Sequence, residues 1–352
     1  MSTIVLFIGD PHIQVTNIVE VELFMERLID LASQNTPDII IIAGDLLHTH
    51  ERLHTIALNK AYEMVDKMRL IAPTYVLVGN HDYISNQQFL SENHWMTAMK
   101  EWKNTTIVDK VVTLNINQEK FIFVPYVPNG RFQEALDTCQ DDWKDASCIF
   151  AHQEFAGCKM GAIVSIEGDK WPLDYPNVIS GHIHSKQSPQ ENIYYSGSAL
   201  QHAFGESDKN IIARLTFTNK KYSKEEIDLN LPRKKIVYMD VEDIETYAAP
   251  ETEDQIKVTV NGNYEQFKAL KKTKKYKNLV DKGLKVVFKP KKDKKITSSS
   301  KDELAVKHTE SGTDFSNILS TIVNNEKDPY LLQNYELVIN GKEILLDDIM
   351  FL

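Results

Sequence analysis

The chain has 352 residues, of which 42% are hydrophobic and 26% charged, the balance of a soluble globular protein with room for two or three domains. No apolar run approaches the ~20 residues of a membrane-spanning helix, and the chain enters a strand at once, without the leader of a secretory signal. Cys139, Cys148 and Cys158 lack metal-ligand spacing, which predicts reduced thiols in an intracellular protein, and a net charge of −10 disfavours a polyanionic partner for the chain as a whole.

Residues 3–8 read as a first buried strand that runs into Gly9-Asp10-Pro11-His12. Residues 19–33 place Val19, Leu23, Leu28 and Leu31 at helical spacing, and Pro37 stops them. A second strand, 39–43, runs into Gly44-Asp45-Leu46-Leu47-His48; an amphipathic helix spans 53–69; a third strand, 74–78, closes on Gly79-Asn80-His81-Asp82. With a helix expected over 87–102, this β-α-β-α-β rhythm predicts a parallel sheet with right-handed crossovers. Short strands follow at 106–114, 120–124, 147–151, 178–180, 193–195 and 211–218. Two of them lead into Phe150-Ala151-His152 and Gly181-His182-Ile183-His184. The expected core, residues 1–232, is an α/β sandwich of two sheets flanked by helices, with polar loops along one rim.

Beyond Leu231-Pro232-Arg233 the pattern restarts, with strands at 235–241, 255–260 and 284–289 and helices at 264–270 and 275–280. Residues 233–290 therefore form a small α+β unit. Between Lys268 and Lys295 stand thirteen lysines and two acids, +11 locally, which leaves −21 for the rest of the chain. Screening confines charge repulsion to about 10 Å at physiological salt, so this stretch can meet phosphates on an acidic protein. Lys271, Lys272, Lys274, Lys275 and Lys277 are its candidate contacts; a solvated lysine-rich helix is the plainer reading. Residues 291–312 read as a lysine- and serine-rich flexible linker. In residues 313–352, Phe315, Ile318, Leu319, Ile322 and Val323 form the apolar face of a short helix that needs a surface, either a partner's or this chain's own.

The polar residues that follow the strands carry the chemistry. A buried strand that ends on glycine delivers its next side chains to the carboxyl edge of the sheet, where α/β sheets bind ligands. Asn80 offers a neutral oxygen, His81 a proton, and Asp82 a carboxylate that would orient His81. One such motif is weak evidence. Five in order, four of them directly behind apolar strands, are strong evidence.

This series resembles the calcineurin-like metallophosphoesterases and, within them, the SbcD-type nuclease subunit of double-strand-break repair complexes. His48 stands three residues after Asp45, where phosphoprotein phosphatases carry Asp-Arg-Gly; Tyr195-Ser196-Gly197-Ser198 followed by Phe204-Gly205-Glu206 also resembles that branch. The resemblance implies two divalent ions, Mn²⁺ by preference. Asp10, His12, Asp45 and His184 would hold one; Asp45, Asn80, His152 and His182 the other, with Asp45 bridging. It implies in-line attack of hydroxide on a phosphodiester, His81 as proton donor and His48 as a phosphate contact. It further implies duplex exonuclease and single-strand endonuclease activity, a homodimer and an SMC-like ATPase partner bound by the tail. His54, His94, His202 and His308 match no ligand motif and are read as structural or surface residues, and His50 is left open. The competing expectations are a phosphatase or phosphodiesterase for small molecules or phosphoproteins, and a DNA-tethering scaffold.

Overall fold

The structure, a computed structural model, describes residues 2–291 apart from Glu51, together with the single positions Val323 and Tyr335. The expected linker from residue 292 onward lies outside the described residues, as do Phe315, Ile318, Leu319, Ile322 and His308. Val323 is helical and buried.

In chain order the strands are β1 (Thr3–Ile8), β2 (Ile39–Ile42), β3 (Thr74–Leu77), β4 (Thr105–Val108), β5 (Val112–Ile116), β6 (Glu119–Val124) and β7 (Cys148–His152). There follow β8 (Lys159–Met160), β9 (Ile163–Val164), β10 (Val178–Gly181), β11 (Gln187–Gln190), β12 (Ile193–Tyr195), β13 (Ile212–Thr218) and β14 (Lys221–Ile227). The first six-stranded sheet has the order β14-β13-β1-β2-β3-β4, and β1 through β4 run parallel. The second has the order β11-β12-β10-β7-β6-β5, parallel from β12 to β6.

Side-chain alternation makes the sandwich. Val5 and Phe7 of β1 enter the layer between the sheets with Ile41, Phe121, Phe123, Phe150 and Phe217. Leu6 and Ile8 face the other way, against Phe24, Leu28, Met64 and Val65 of α1 (Ile18–Asn35) and α2 (Thr55–Ile71). A third cluster covers the outer face of the second sheet, where Ile122 and Ile149 meet Trp171 and Phe132 of α3 (Phe132–Leu136). Parallel strands covered on both faces must be apolar throughout, which is why β2 is four isoleucines.

Two expectations are corrected here. Residues 87–102 hold only a 3₁₀ turn, Thr97–Glu101, because polar side chains there bond local groups instead: Ser91 Oγ accepts from Asn93 N (3.1 Å), and Gln88 Oε1 from the Asn93 amide (3.0 Å). The expected strand 106–114 is two strands in different sheets. The chain crosses between them at Asp109, whose buried carboxylate pairs with His94 (3.1 Å) and Lys100 (2.5 Å). Strands β11 and β14 have no apolar signature, since both are edges, and charged side chains on an edge guard against further pairing.

The smaller unit has three parallel strands, β15 (Lys234–Asp240), β16 (Gln255–Gly262) and β17 (Lys285–Pro290), with α4 (Tyr264–Leu270) and α5 (Lys274–Asp281). Ile256, Val258, Val260, Phe267 and Leu279 give it a core of its own. Lys271, Lys272, Lys274 and Lys277 are exposed there, and Lys275 donates to the Glu245 carbonyl (2.9 Å).

Phe217 lies far along β13 from the polar rim and meets Phe121 edge-on (4.8 Å between ring centres). Phe217→Ala should cost about 3–5 kcal/mol in urea unfolding, the usual cost of an aromatic removed from a core. A loss below about 1 kcal/mol would mean that the inter-sheet layer repacks.

Candidate metal centre

The carboxyl ends of β1, β2 and β3 in one sheet and of β7 and β10 in the other lie side by side, and each delivers a polar residue. Asp10, His12, Asp45, Asn80 and His152 are buried; His182 and His184 are partly exposed. Four of these residues adopt left-handed backbone: Asp10 (φ 28°), His12 (44°), Asp45 (50°) and His182 (78°). Asp, Asn and His tolerate this region better than most residues, and such strain gathers at functional sites. Gly79 is required for another reason, since a Cβ there would stand 2.2 Å from Asp45 Oδ1.

Asp45 is the hub. Its Oδ2 lies 3.4 Å from His12 Nε2 and 3.4 Å from His152 Nε2, and its Oδ1 accepts from His81 N at 2.9 Å. On one side, His12 Nε2 and His184 Nε2 are 2.9 Å apart. On the other, Asn80 Oδ1 is 3.1 Å from His152 Nε2 and 2.9 Å from His182 Nδ1. Asp10 Oδ1 accepts from His182 N (2.9 Å), while Asp10 Oδ2 is buried with no hydrogen-bond partner.

Nitrogen and oxygen lone pairs thus converge from seven side chains, and one buried carboxylate oxygen is unsatisfied. That donor set fits divalent cations, with Asp45 shared between two groups. The outer nitrogens are held as ligands require. His152 Nδ1 pairs with the Ala43 carbonyl (2.7 Å), which leaves Nε2 as the inward donor. Burial pushes His152 down, but the charges of Asp45 and Asp10 outweigh it and hold the imidazole at about 9. Burial, with the charge of His152, drives His182 down to about 3.

His81 pairs through Nδ1 with the His48 carbonyl (2.8 Å), so its Nε2 is the free ring nitrogen. It stacks between His48 (5.7 Å) and His50 (4.7 Å), which brings His50 to the edge of the site as well. Asp82 does not orient it. That carboxylate accepts from Gly79 N (3.0 Å), Leu47 N (3.4 Å) and Trp95 Nε1 (3.1 Å), because the turn after β3 directs it inward. Burial and the nearby Asp45 charge raise Asp82 to about 7. His48 Nδ1 is 3.4 Å from His12 Nδ1, at the rim of the same cluster.

His202 matches no ligand motif in the sequence, yet the structure places it in the site. Its ring lies 4.8 Å from that of His12 and 5.0 Å from that of His184, and its Nε2 pairs with the Asp10 carbonyl at 3.0 Å. Glu206 is beside it, 3.4 Å from His184 Nδ1, accepting from His202 N (2.9 Å) and Ala203 N (3.0 Å). The Phe204-Gly205-Glu206 segment is the sequence signal that leads to this loop. His94 is structural through Asp109, and His54 caps α2 by accepting from Ile56 N.

Divalent cations, when bound here, neutralise phosphoester oxygens and acidify water. The chain's own part is to hold the converging donors, with His81 Nε2 left free beside them and expected from the sequence to serve as proton donor. If it serves so, His81→Ala should keep Mn²⁺ binding and lower the rate of phosphoester hydrolysis by about 10²–10⁴-fold; calorimetry showing one ion fewer would remove the assignment. Gly79→Ala removes no ligand, yet should weaken Mn²⁺ binding in the same titration by displacing Asp45. Unchanged affinity would show that the Asp45 turn yields at little cost.

Comparison with known proteins agrees with this geometry. The family model for calcineurin-like phosphoesterases matches residues 4–186. The chain is 49% identical over 300 residues to "Putative phosphoesterase 078R" of Invertebrate iridescent virus 3, covering 84% of this chain and 86% of that one. It is 50% identical over 276 residues to "Putative phosphoesterase 244L" of Invertebrate iridescent virus 6, covering 77% and 98%. Similarity to the SbcD component of the SbcCD nuclease of Staphylococcus saprophyticus is lower, 23% over 212 residues, covering 52% and 56%. With its ligand cluster at the junction of two sheets, the chain belongs to the calcineurin-like phosphoesterases and is a metal-dependent phosphoester hydrolase.

Proposed function

We propose that this hydrolase is a DNA nuclease of the SbcD type, using two Mn²⁺ ions to cut duplex ends and single strands. The observation that carries the reading is His48. It follows the bridging carboxylate by three residues and lies against His12 and His81 at the rim of the cluster, where a phosphate of a polymer would pass. Likeness to a nuclease component in Staphylococcus saprophyticus supports it, as do the exposed lysines of α5 and the turn before it. In this reading residues 1–232 are the nuclease core, 233–290 a DNA-binding cap, and 313–352 the tail that docks on an SMC-like ATPase, with the chain acting as a homodimer.

The test compares substrates. With Mn²⁺ the protein should degrade linear duplex DNA and nick single-stranded circles, as well as hydrolyse bis(p-nitrophenyl) phosphate. Hydrolysis of the small diester with DNA left intact would overturn the nuclease reading and leave a small-molecule phosphodiesterase. His48→Ala should slow duplex-end degradation by about 10²-fold, as expected when a bound phosphate is misplaced, and single-strand cleavage by less. Equal losses would remove its role in duplex handling.

A further inference from the structure

A cleft of about 510 Å³ opens directly beside the metal centre, with His182 and His184 in its wall. Its remaining walls mix apolar and polar groups, with Lys159, Ser185 and Glu206 beside Met160 and Phe204. One is the hairpin β8–β9, which presents Met160; the other is the loop that carries Phe204. The hairpin is pinned at its base, where Gln187 Oε1 accepts from Lys159 N (2.7 Å) and Gln187 Nε2 donates to Lys159 O (2.8 Å). Its apolar side chains are turned outward: Met160 is 40% exposed, Ile163 66% and nearby Ile166 83%. Apolar groups gathered beside a polar centre mark a binding surface.

A group that adjoins the reacting phosphate in this cleft meets a methionine on one wall and an aromatic ring on the other. A second feature narrows the class. Lys257 of β16 stands over the Phe204 ring, with Nζ 5.7 Å from its centre, and Lys159 is exposed on the opposite wall. An aromatic face flanked by cations suits a flat base with its backbone phosphates, and single-strand binding sites are assembled this way. A paired base cannot enter such a cleft without leaving its stack and its partner.

Resting on the nuclease reading, we propose that the cleft between Met160 and Phe204 holds an unpaired nucleobase next to the scissile phosphate of a single-stranded substrate. Discrimination between single strands and duplexes then lies at this cleft beside the metal centre, with Lys257 of β16 at its edge, and apart from the lysines of α5 and the turn before it.

The experiment uses the full chain with Mn²⁺ and a single-stranded oligodeoxynucleotide, intact or with one abasic residue stepped through the positions around the cut. For the wild type, an abasic residue at one position should raise KM by about 5–150-fold, the range for losing one base–aromatic stack. Phe204→Ala should raise KM for the intact strand by a similar factor and be almost indifferent to the abasic residue, while Phe204→Tyr restores the wild-type pattern. Met160→Ala, at an exposed position that does not endanger folding, should act in the same sense but less. Calorimetric titration with Mn²⁺ should be unchanged in all three variants. If the abasic residue and the substitutions act independently, the cleft holds no base and the nuclease reading stands. If the wild type leaves the intact strand uncut while hydrolysing bis(p-nitrophenyl) phosphate, the nuclease reading fails and the cleft proposal fails with it.

Discussion

The structure depends on one buried carboxylate. Asp45 is 2% exposed and stands where the two sheets meet. An isolated carboxylate in such a place would cost several kcal/mol in lost hydration. The fold answers with His12 from one strand end, His152 from another sheet and the backbone of His81, all within reach of its two oxygens. Burial works against ionisation there, yet the histidines win and Asp45 stays well below the usual carboxylate range. The close approach of β3 to β2 demands glycine at 79, and the left-handed turn at residue 45 aims the side chain inward. Sheet order, the glycine and the turn all serve the placement of this group.

The parts of this arrangement that can be read from sequence are those set by local rules. Buried parallel strands are apolar runs, so β1, β2, β3 and β7 announce themselves and so do the polar residues behind them. The small unit is readable for the same reason: the alternation of Ile256, Val258 and Val260 is the register of one sheet face. What escapes is decided in three dimensions. The edge strands β11 and β14 carry polar and charged residues instead of an apolar pattern. Asp82 follows His81 in the chain, yet the turn sends the two side chains to different partners. His202 reaches the cluster only because its loop packs beneath the end of β1, where Ser198 Oγ and His202 Nε2 both meet the Asp10 carbonyl. No spacing rule encodes that contact.

Backbone carbonyls do much of the site's positioning. Those of Ala43, His48 and Asp10 each meet a ring nitrogen of a different histidine, and so set which nitrogen of His152, His81 and His202 remains available. The Ala43 carbonyl directly follows β2 and is fixed by the sheet, while those of Asp10 and His48 lie in the loops behind β1 and β2. The left-handed conformations at Asp10, His12, Asp45 and His182 cost of order 1–3 kcal/mol each when the surroundings hold them in place. Asp10 and Asp45 add the cost of two buried carboxylates close together: burial, with the charge of Asp45, raises Asp10. A bound cation would offset these costs, which would tie the stability of the sandwich to its metal content.

The join between the smaller unit and the sandwich is polar. Its strand β15 enters the first domain through Lys234, which pairs with Glu20 of α1, while Gln255 donates to the same carboxylate (2.6 Å). Lys234 also meets Gln201: its N–H donates to Gln201 Oε1 at 2.6 Å, and Gln201 Nε2 reaches the carbonyls of Lys234 (3.3 Å) and Glu206 (3.2 Å). Glu206 in turn faces His184. A short chain of hydrogen bonds therefore runs from the sheet of the smaller unit to His184 at the centre, anchored by an ion pair whose side chains are only 10% and 21% exposed. Sheltered in this way, the ion pair is one that ionic strength reaches far less than an open surface pair, so the seat of the smaller unit, and with it the residue beside His184, is insulated from the salt around it.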